Sequence, residues 1–244
     1  MKKFIFLLTA LPLLLAGADI YMAGDSTMCL RQPRELPLYG WGMPLEKKVI
    51  DGVKIHNHAT GGRSSKSFIT EKRWEKIMNE AKKGDFVIIQ FGINDDASGD
   101  KNFYRHTEAD GTYRDYLRIY IAEARARGVT PVLCTQTMFC DFDKNGVPFR
   151  QTAVEKRVAA CQAVARETGC DFIDLNSYAL AKFRELGKEK SLALYMWLQP
   201  GQFPNYPKGR RDTCHLRVEG AEFYANAFVG LAKKQNLPVA KLFK

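Results

Sequence analysis

Short apolar runs alternate with stretches of helical periodicity along most of this 244-residue chain. That alternation predicts an α/β fold, a three-layer α/β/α sandwich around a central five-stranded parallel sheet. Two further observations agree. The strand-like runs are four to six residues long, and several stop at Gly, Asp, Asn or Ser, the residues that turn a chain at the end of a buried strand.

The first strand, residues 20–23, stops at Gly24-Asp25-Ser26. Gly24 permits a tight turn, and a serine at the carboxyl end of a strand lies where open parallel sheets place ligands. Ser26 is therefore the candidate nucleophile, with an ordinary helix cap as the competing reading of Asp-Ser-Thr. Residues 54–59 read as the second strand, followed by a helix over 70–83 with Trp74, Ile77, Met78 and Ala81 at helical spacing. The turn pair Gly84-Asp85 introduces a strongly apolar third strand at 86–91. A helix over 113–127 carries Tyr113, Tyr116, Leu117, Tyr120, Ile121 and Ala124 on one side and ends at Gly128. The fourth strand is 130–135. A helix over 152–167 buries Val154, Val158, Cys161 and Ala165 and ends at Gly169, before a fifth strand at 172–175. Residues 177–186 are helical, and 218–234 form a closing helix with Ala221, Tyr224, Ala225, Phe228 and Val229 inward. Between these helices the rhythm breaks, and the Pro- and Gly-rich stretch 199–211 reads as a loop leading into Asp212-Thr-Cys-His215.

The chain starts with Lys2 and Lys3, runs through apolar residues 4–15 and reaches Ala16-Gly17-Ala18. This is the pattern of a secretory signal peptide over 1–18, cleaved before Asp19; a buried N-terminal helix is the competing reading. The run is short for a bilayer and no cysteine follows the cleavage site, so export to the periplasm or the exterior is expected, with no stable membrane anchor. Residues 19–244 then make one domain of 226 residues (244 minus 18). The formal charge of +10 becomes +8 without Lys2 and Lys3, which suits an acidic polymer such as pectin but does not define chemistry. Lys and Arg are scattered and no nucleic-acid motif is present, so nucleic acid is not an expected partner. Of the six cysteines, Cys134 with Cys140 and Cys161 with Cys170 are the local disulfide pairings open to an exported chain. Cys134 and Cys161 also read as buried free thiols, since one lies in an apolar strand and the other on an apolar helix face. None has a paired C-x-x-C spacing, so no metal is expected.

Asp212 and His215 are three apart, which on a helical turn would set a carboxylate beside an imidazole; an ordinary surface or turn histidine is the alternative. Gly61-Gly62 follows the second strand, where an exposed backbone N–H can point into a cleft, and Asn94 after the third strand offers a side-chain amide. Each pair is also a common loop sequence. Together they gather a serine, an amide-bearing glycine and an asparagine on one edge of the sheet.

These residues resemble the four sequence blocks of the SGNH (GDSL) hydrolases: Gly24-Asp25-Ser26, Gly62, Gly92-Ile93-Asn94-Asp95 and Asp212-x-x-His215, in order, from residue 20 to residue 215. Ala23-Gly-Asp-Ser-Thr-Met28, Tyr39-Gly-Trp-Gly42, Gly62-Arg-Ser-Ser-Lys-Ser-Phe68, Gln90-Phe-Gly-x-Asn-Asp95 and Gly220-Ala221 after His215 are similar to the rhamnogalacturonan acetylesterase branch. Ile93 departs from it, standing where that branch often carries histidine. The resemblance implies a flavodoxin-like fold and a serine esterase acting on an acetylated polysaccharide. It assigns Ser26 as nucleophile, His215 as base and Asp212 as its orienter, with the N–H groups of Ser26 and Gly62 and the amide of Asn94 around the oxyanion, and no cofactor. Asp25 braces its own turn. Arg63, Lys66, Arg210 and Arg211 are candidates to meet substrate carboxylates. Trp41, Trp197 and Tyr206 are candidates to stack on sugar rings, although the Tyr-Gly-Trp-Gly spacing suggests a tight turn against the sheet and favours packing of Trp41 beside the first loop. The alternatives are an esterase on acetylated xylan or another acyl ester, and a non-catalytic carbohydrate-binding protein on the same scaffold.

Overall fold

The computed structural model describes residues 17–96 and 100–244. The expected signal peptide lies outside the described residues except for its last two. Five strands, β1 (Ile20–Gly24), β2 (Ile55–Asn57), β3 (Phe86–Gln90), β4 (Thr130–Cys134) and β5 (Asp171–Ile173), form one sheet in the order β2-β1-β3-β4-β5. All its pairings are parallel. Every residue of β1 and β3 is buried, as a sheet covered on both faces requires, which is why these strands read as apolar runs, with Gln90 the one polar side chain, at the end of β3.

The helices are α1 (Gly42–Leu45), α2 (Ser65–Thr70), α3 (Arg73–Glu80), α4 (Thr112–Ala126), α5 (Thr152–Thr168), α6 (Leu175–Leu192) and α7 (Val218–Lys234). Side chains alternate across a strand, and so they divide between two cores. Ile20, Met22, Ile88, Val132 and Ile173 pack with Trp41, Phe183, Tyr224 and Phe228 from α6, α7 and the loop before α1. Tyr21, Ala23, Val87, Ile89 and Leu133 pack with Phe68, Trp74, Tyr113, Leu117 and Val164 from α2 to α5. The three-layer sandwich follows.

Three expectations need correction. The helix read over 70–83 is shorter, α3 alone, because Lys72 adopts a left-handed conformation (φ 59°) before it and Ala81 is extended after it, and α2 precedes it where no helix was expected. The stretch before His215 is not a loop throughout: β6 (Tyr195–Leu198) and β7 (Arg210–Leu216) pair antiparallel, apart from the main sheet. The local disulfides do not form, and all six cysteines are free. Cys161 and Cys170 instead turn their thiols toward the carbonyls of Cys134 and Pro131 at 3.6 and 3.4 Å, under β4.

Candidate active site

β1 delivers Ser26 to the carboxyl edge of the sheet, and the chain turns there without a left-handed glycine. What Gly24 supplies is room: a Cβ at this position would lie 2.7 Å from Met28 Sδ and 3.1 Å from the Gln90 carbonyl. Asp25 is fully buried, and its Oδ1 accepts from the backbone N–H and the hydroxyl of Thr27, both at 2.8 Å. Burial pushes its carboxyl up to about 6, against the lowering effect of these bonds. The Thr27 hydroxyl also accepts from Gln90 Nε2 at 3.2 Å, and Gln90 Oε1 accepts from Trp41 Nε1 at 2.6 Å. A continuous polar chain thus runs beneath the serine.

β7 brings the other two residues. Its register against β6 jumps from Trp197 opposite Arg211 to Tyr195 opposite Leu216, so Met196 alone faces the four residues 212–215. Asp212 and His215 stand on this bulge, a place where strands commonly re-aim side chains. Asp212 Oδ1 accepts the backbone N–H groups of Cys214 and His215, each at 2.9 Å. Its Oδ2 accepts His215 Nδ1 at 2.8 Å and Arg210 Nη2 at 2.6 Å. Burial alone would raise this carboxyl, but the bonds from His215 and the bulge backbone outweigh it and hold Asp212 well below the usual carboxylate range. A carboxylate only accepts, so the Nδ1 proton faces Asp212 and leaves Nε2 as an acceptor. His215 Nε2 lies 3.0 Å from Ser26 Oγ. The Tyr39 N–H donates to the Leu216 carbonyl at 2.9 Å, which ties the bulge to the loop that follows Ser26.

Two of the expected oxyanion donors, Gly62 and Asn94, stand on loops that meet beside Ser26. The loop after β2 is anchored to β1 by the Thr60 N–H donating to the Gly24 carbonyl (2.9 Å), and a Cβ on Gly61 would sit 3.7 Å from Ser26 Cβ. Gly62 takes φ +79°, a conformation that aims its backbone as few other residues can. Asn94 Nδ2 donates to the Arg63 carbonyl at 3.2 Å. The residue that joins these parts is one that sequence reasoning missed. Arg105 Nη1 donates both to the Gly62 carbonyl (2.9 Å) and to Asn94 Oδ1 (3.2 Å), fixing which way the Asn94 amide points. It belongs to no motif and lies distant in sequence from both partners, so no local pattern signals it. Asp95 is buried and braces the same region by accepting from the Ser65 backbone N–H and hydroxyl and from the Thr107 hydroxyl.

The candidate substrate contacts fare differently. Trp41 is corrected: it is fully buried, packs on Phe228 with ring centroids 5.7 Å apart, and has no face open to a sugar. Arg63 is spent locally, with Nε 2.9 Å from Glu71 Oε2 and Nη1 donating to the Gly61 carbonyl at 2.8 Å. Arg211 lies over the Trp197 ring, 4.7 Å from its centroid, and donates to Gln199 Oε1 at 3.0 Å. Arg210 serves Asp212, not a ligand. Among the described residues, no group of three or more His, Cys, Asp and Glu side chains is placed to hold a metal ion, and no helix is long and apolar enough to cross a membrane.

A parallel sheet that sets Ser26, Gly62 and Asn94 at its carboxyl edge, with a separate ribbon bringing His215 to Ser26, is the arrangement of a hydrolase of the SGNH class. The chain belongs to the GDSL-like lipase/acylhydrolase family, whose model matches residues 22–223. It is 33% identical over 221 residues to the rhamnogalacturonan acetylesterase RhgT of Bacillus subtilis, covering 91% of this chain and 92% of that one. It is 29% identical to a rhamnogalacturonan acetylesterase of Emericella nidulans, with 91% and 87% covered. The crystal structure of the Bacillus subtilis protein YxiM superposes with a TM-score of 0.75 at 28% identity, over 91% of this chain and 58% of that one. An acetylxylan esterase of Geobacillus stearothermophilus shares the fold, with a TM-score of 0.62 at 20% identity over 88% of this chain and 94% of that one.

Proposed function

We propose that the protein is an exported serine esterase that removes acetyl groups from plant cell-wall polysaccharide, acetylated rhamnogalacturonan in particular. One observation carries the chemistry: the unbroken hydrogen-bond chain from Ser26 Oγ through His215 to Asp212. Ser26 Oγ attacks the acetyl carbonyl as His215 Nε2 takes its proton. His215 then returns that proton to the departing sugar oxygen, leaving an acetyl-enzyme. Water attacks this ester with His215 again as base, releasing acetate and free Ser26. Asp212 keeps the imidazole in the required tautomer and offsets its positive charge. The Ser26 and Gly62 N–H groups and Asn94 Nδ2 receive the charge that develops on the carbonyl oxygen.

The substrate reading draws on the likeness to the named rhamnogalacturonan acetylesterases along nine-tenths of the chain and on the excess of basic residues. Export rests on the pattern of residues 1–18. The test is acetate release from acetylated rhamnogalacturonan by wild type and by Ser26→Ala, with acetylated xylan as the comparison. Release by wild type and a loss of at least about a thousandfold in Ser26→Ala are expected. Preferential release from xylan would replace the polymer and keep the mechanism; equal rates for wild type and variant would remove Ser26 as nucleophile.

A further inference from the structure

Gln136 follows β4, one strand along from the loop that carries Asn94 and on the same edge of the sheet. Its side chain is 2% exposed, yet neither Oε1 nor Nε2 has a hydrogen-bond partner among the described residues. Leaving a buried amide unpaired is costly, and such groups in native proteins ordinarily have a purpose. This one lines a cavity of about 200 Å³ bounded also by Gly92 and Ile93, which run directly into Asn94.

The other polar wall is Arg157 of α5, 4% exposed. Its Nη2 donates to the Thr107 carbonyl at 2.9 Å, its Nη1 donates to the Ala153 carbonyl at 3.4 Å and lies 3.5 Å from Asp96 Oδ1, and its Nε is unpaired. The rest of the wall includes the apolar Ile93, Phe139 and Val154. Without a protein partner at this wall are therefore one acceptor, Gln136 Oε1, and two donors, Gln136 Nε2 and Arg157 Nε; the remaining polar lining, Asp96 and Gln151, is exposed, and Gln151 Nε2 donates to Asp141 Oδ2 at 2.8 Å. A carboxylate only accepts, so it would leave Oε1 unpaired and would meet the charge of Asp96. Hydroxyl groups both donate and accept. An apolar wall beside such polar groups suits the C–H face of a ring.

We propose that this cavity is a subsite for an uncharged, hydroxyl-bearing sugar residue of the polysaccharide, neighbouring the residue whose ester lies at Ser26. The proposal rests on the polysaccharide-esterase reading and adds to it where along the sheet edge the chain continues and which kind of residue sits there.

Gln136→Met keeps the side-chain volume and removes the donor and the acceptor together, and Ala153→Trp fills the cavity from its half-buried rim. Calorimetric titration of the full protein with deacetylated rhamnogalacturonan oligosaccharides should show binding by wild type and at least tenfold weaker binding by both variants. The melting temperature of Gln136→Met should be unchanged or raised, because an unpaired buried amide is removed. No binding by wild type, affinity retained by either variant, or a melting temperature that falls together with binding in Gln136→Met would overturn the proposal. So would an oligogalacturonate whose binding depends on Gln136 to the same degree. Wild-type hydrolysis of p-nitrophenyl acetate, read alongside, tests the esterase reading by itself, so the two can fail separately.

Discussion

One guanidinium nitrogen of Arg105 holds both Gly62 and Asn94, the two residues that would face an oxyanion beside Ser26. It touches neither serine nor imidazole, so its effect should be on position alone. Arg105→Met is expected to lower kcat for p-nitrophenyl acetate by on the order of tenfold to a hundredfold, since misplacing a reacting group by about 1 Å can cost that much. KM should move little, and an unchanged kcat would show that Asn94 holds its orientation unaided. Asp25 and Asp212 lie close to the same serine, and their surroundings push them in opposite directions. Burial lifts Asp25 from its ordinary 3.8 to about 6, so the folded protein binds that proton more tightly than the unfolded chain does. Its contribution to stability is full below about pH 4 and is lost as pH rises through about 6. Asp212 is lowered instead, so its contribution is present above about pH 4 and is lost only as pH falls toward its folded value. Asp25→Asn isolates the first effect. Between pH 4 and pH 7 its stability relative to wild type should improve by on the order of 3 kcal/mol, read from melting temperatures or denaturant midpoints at the two pH values. A difference that stays constant with pH would mean that Asp25 is ionised throughout.

At the level of elements, the parallel sheet was legible because β1, β3 and β4 are predominantly apolar runs, and helices α4, α5 and α7 because their apolar residues keep one face over four turns. The start of α3 after Lys72 and the short α2 before it were not legible, since a left-handed lysine leaves no mark in the sequence. Nor was the β6–β7 ribbon. Pro and Gly in its connecting loop masked two strands that pair only with each other, and the bulge that aims Asp212 and His215 depends on register, which composition does not reveal. Ser26 and Asn94 stood out as candidates because each follows the end of an apolar strand, and His215 because a carboxylate lies three residues before it. Trp41 was partly misread for the converse reason, because aromatic rings look alike in sequence whether they meet a ligand or, as here, a neighbouring helix. Gly220 belongs to the resemblance, and the structure supplies its purpose. A Cβ there would fall 1.9 Å from the Leu194 carbonyl, against which the first turn of α7 rests. Gly220→Ala should push α7 away from the ribbon that carries His215 and lower stability by about 1–3 kcal/mol, the usual cost of overpacking. Urea midpoints would read the loss, and an unchanged midpoint would mean that α7 and the ribbon can part freely.

On the scale of the whole molecule, everything with a proposed part in the chemistry stands on one edge of the sheet, while the charge is spread over the entire surface. The chain carries 37 Lys and Arg against 27 Asp and Glu. Near the candidate site several of these cations already have partners: Arg63 pairs with Glu71, Arg157 approaches Asp96 and Arg210 holds Asp212. Attraction of an acidic polymer would therefore come from the summed field and not from one bound carboxylate, and a summed field acts on encounter more than on the bound complex. Salt separates the two. Exposed charges are screened beyond about 10 Å at 0.1 M ionic strength and beyond about 3 Å at 1 M. Raising salt from low ionic strength to 0.5 M should therefore reduce kcat/KM on acetylated rhamnogalacturonan severalfold, mostly through KM. Neutral acetylated xylan and p-nitrophenyl acetate, measured in the same buffers, should show little change, because neither feels the field. Equal salt dependence on all three would point to an ionic effect on the fold or the site, whereas none on any would mean that the positive charge serves solubility and leaves recognition of the polymer to contacts along the sheet edge.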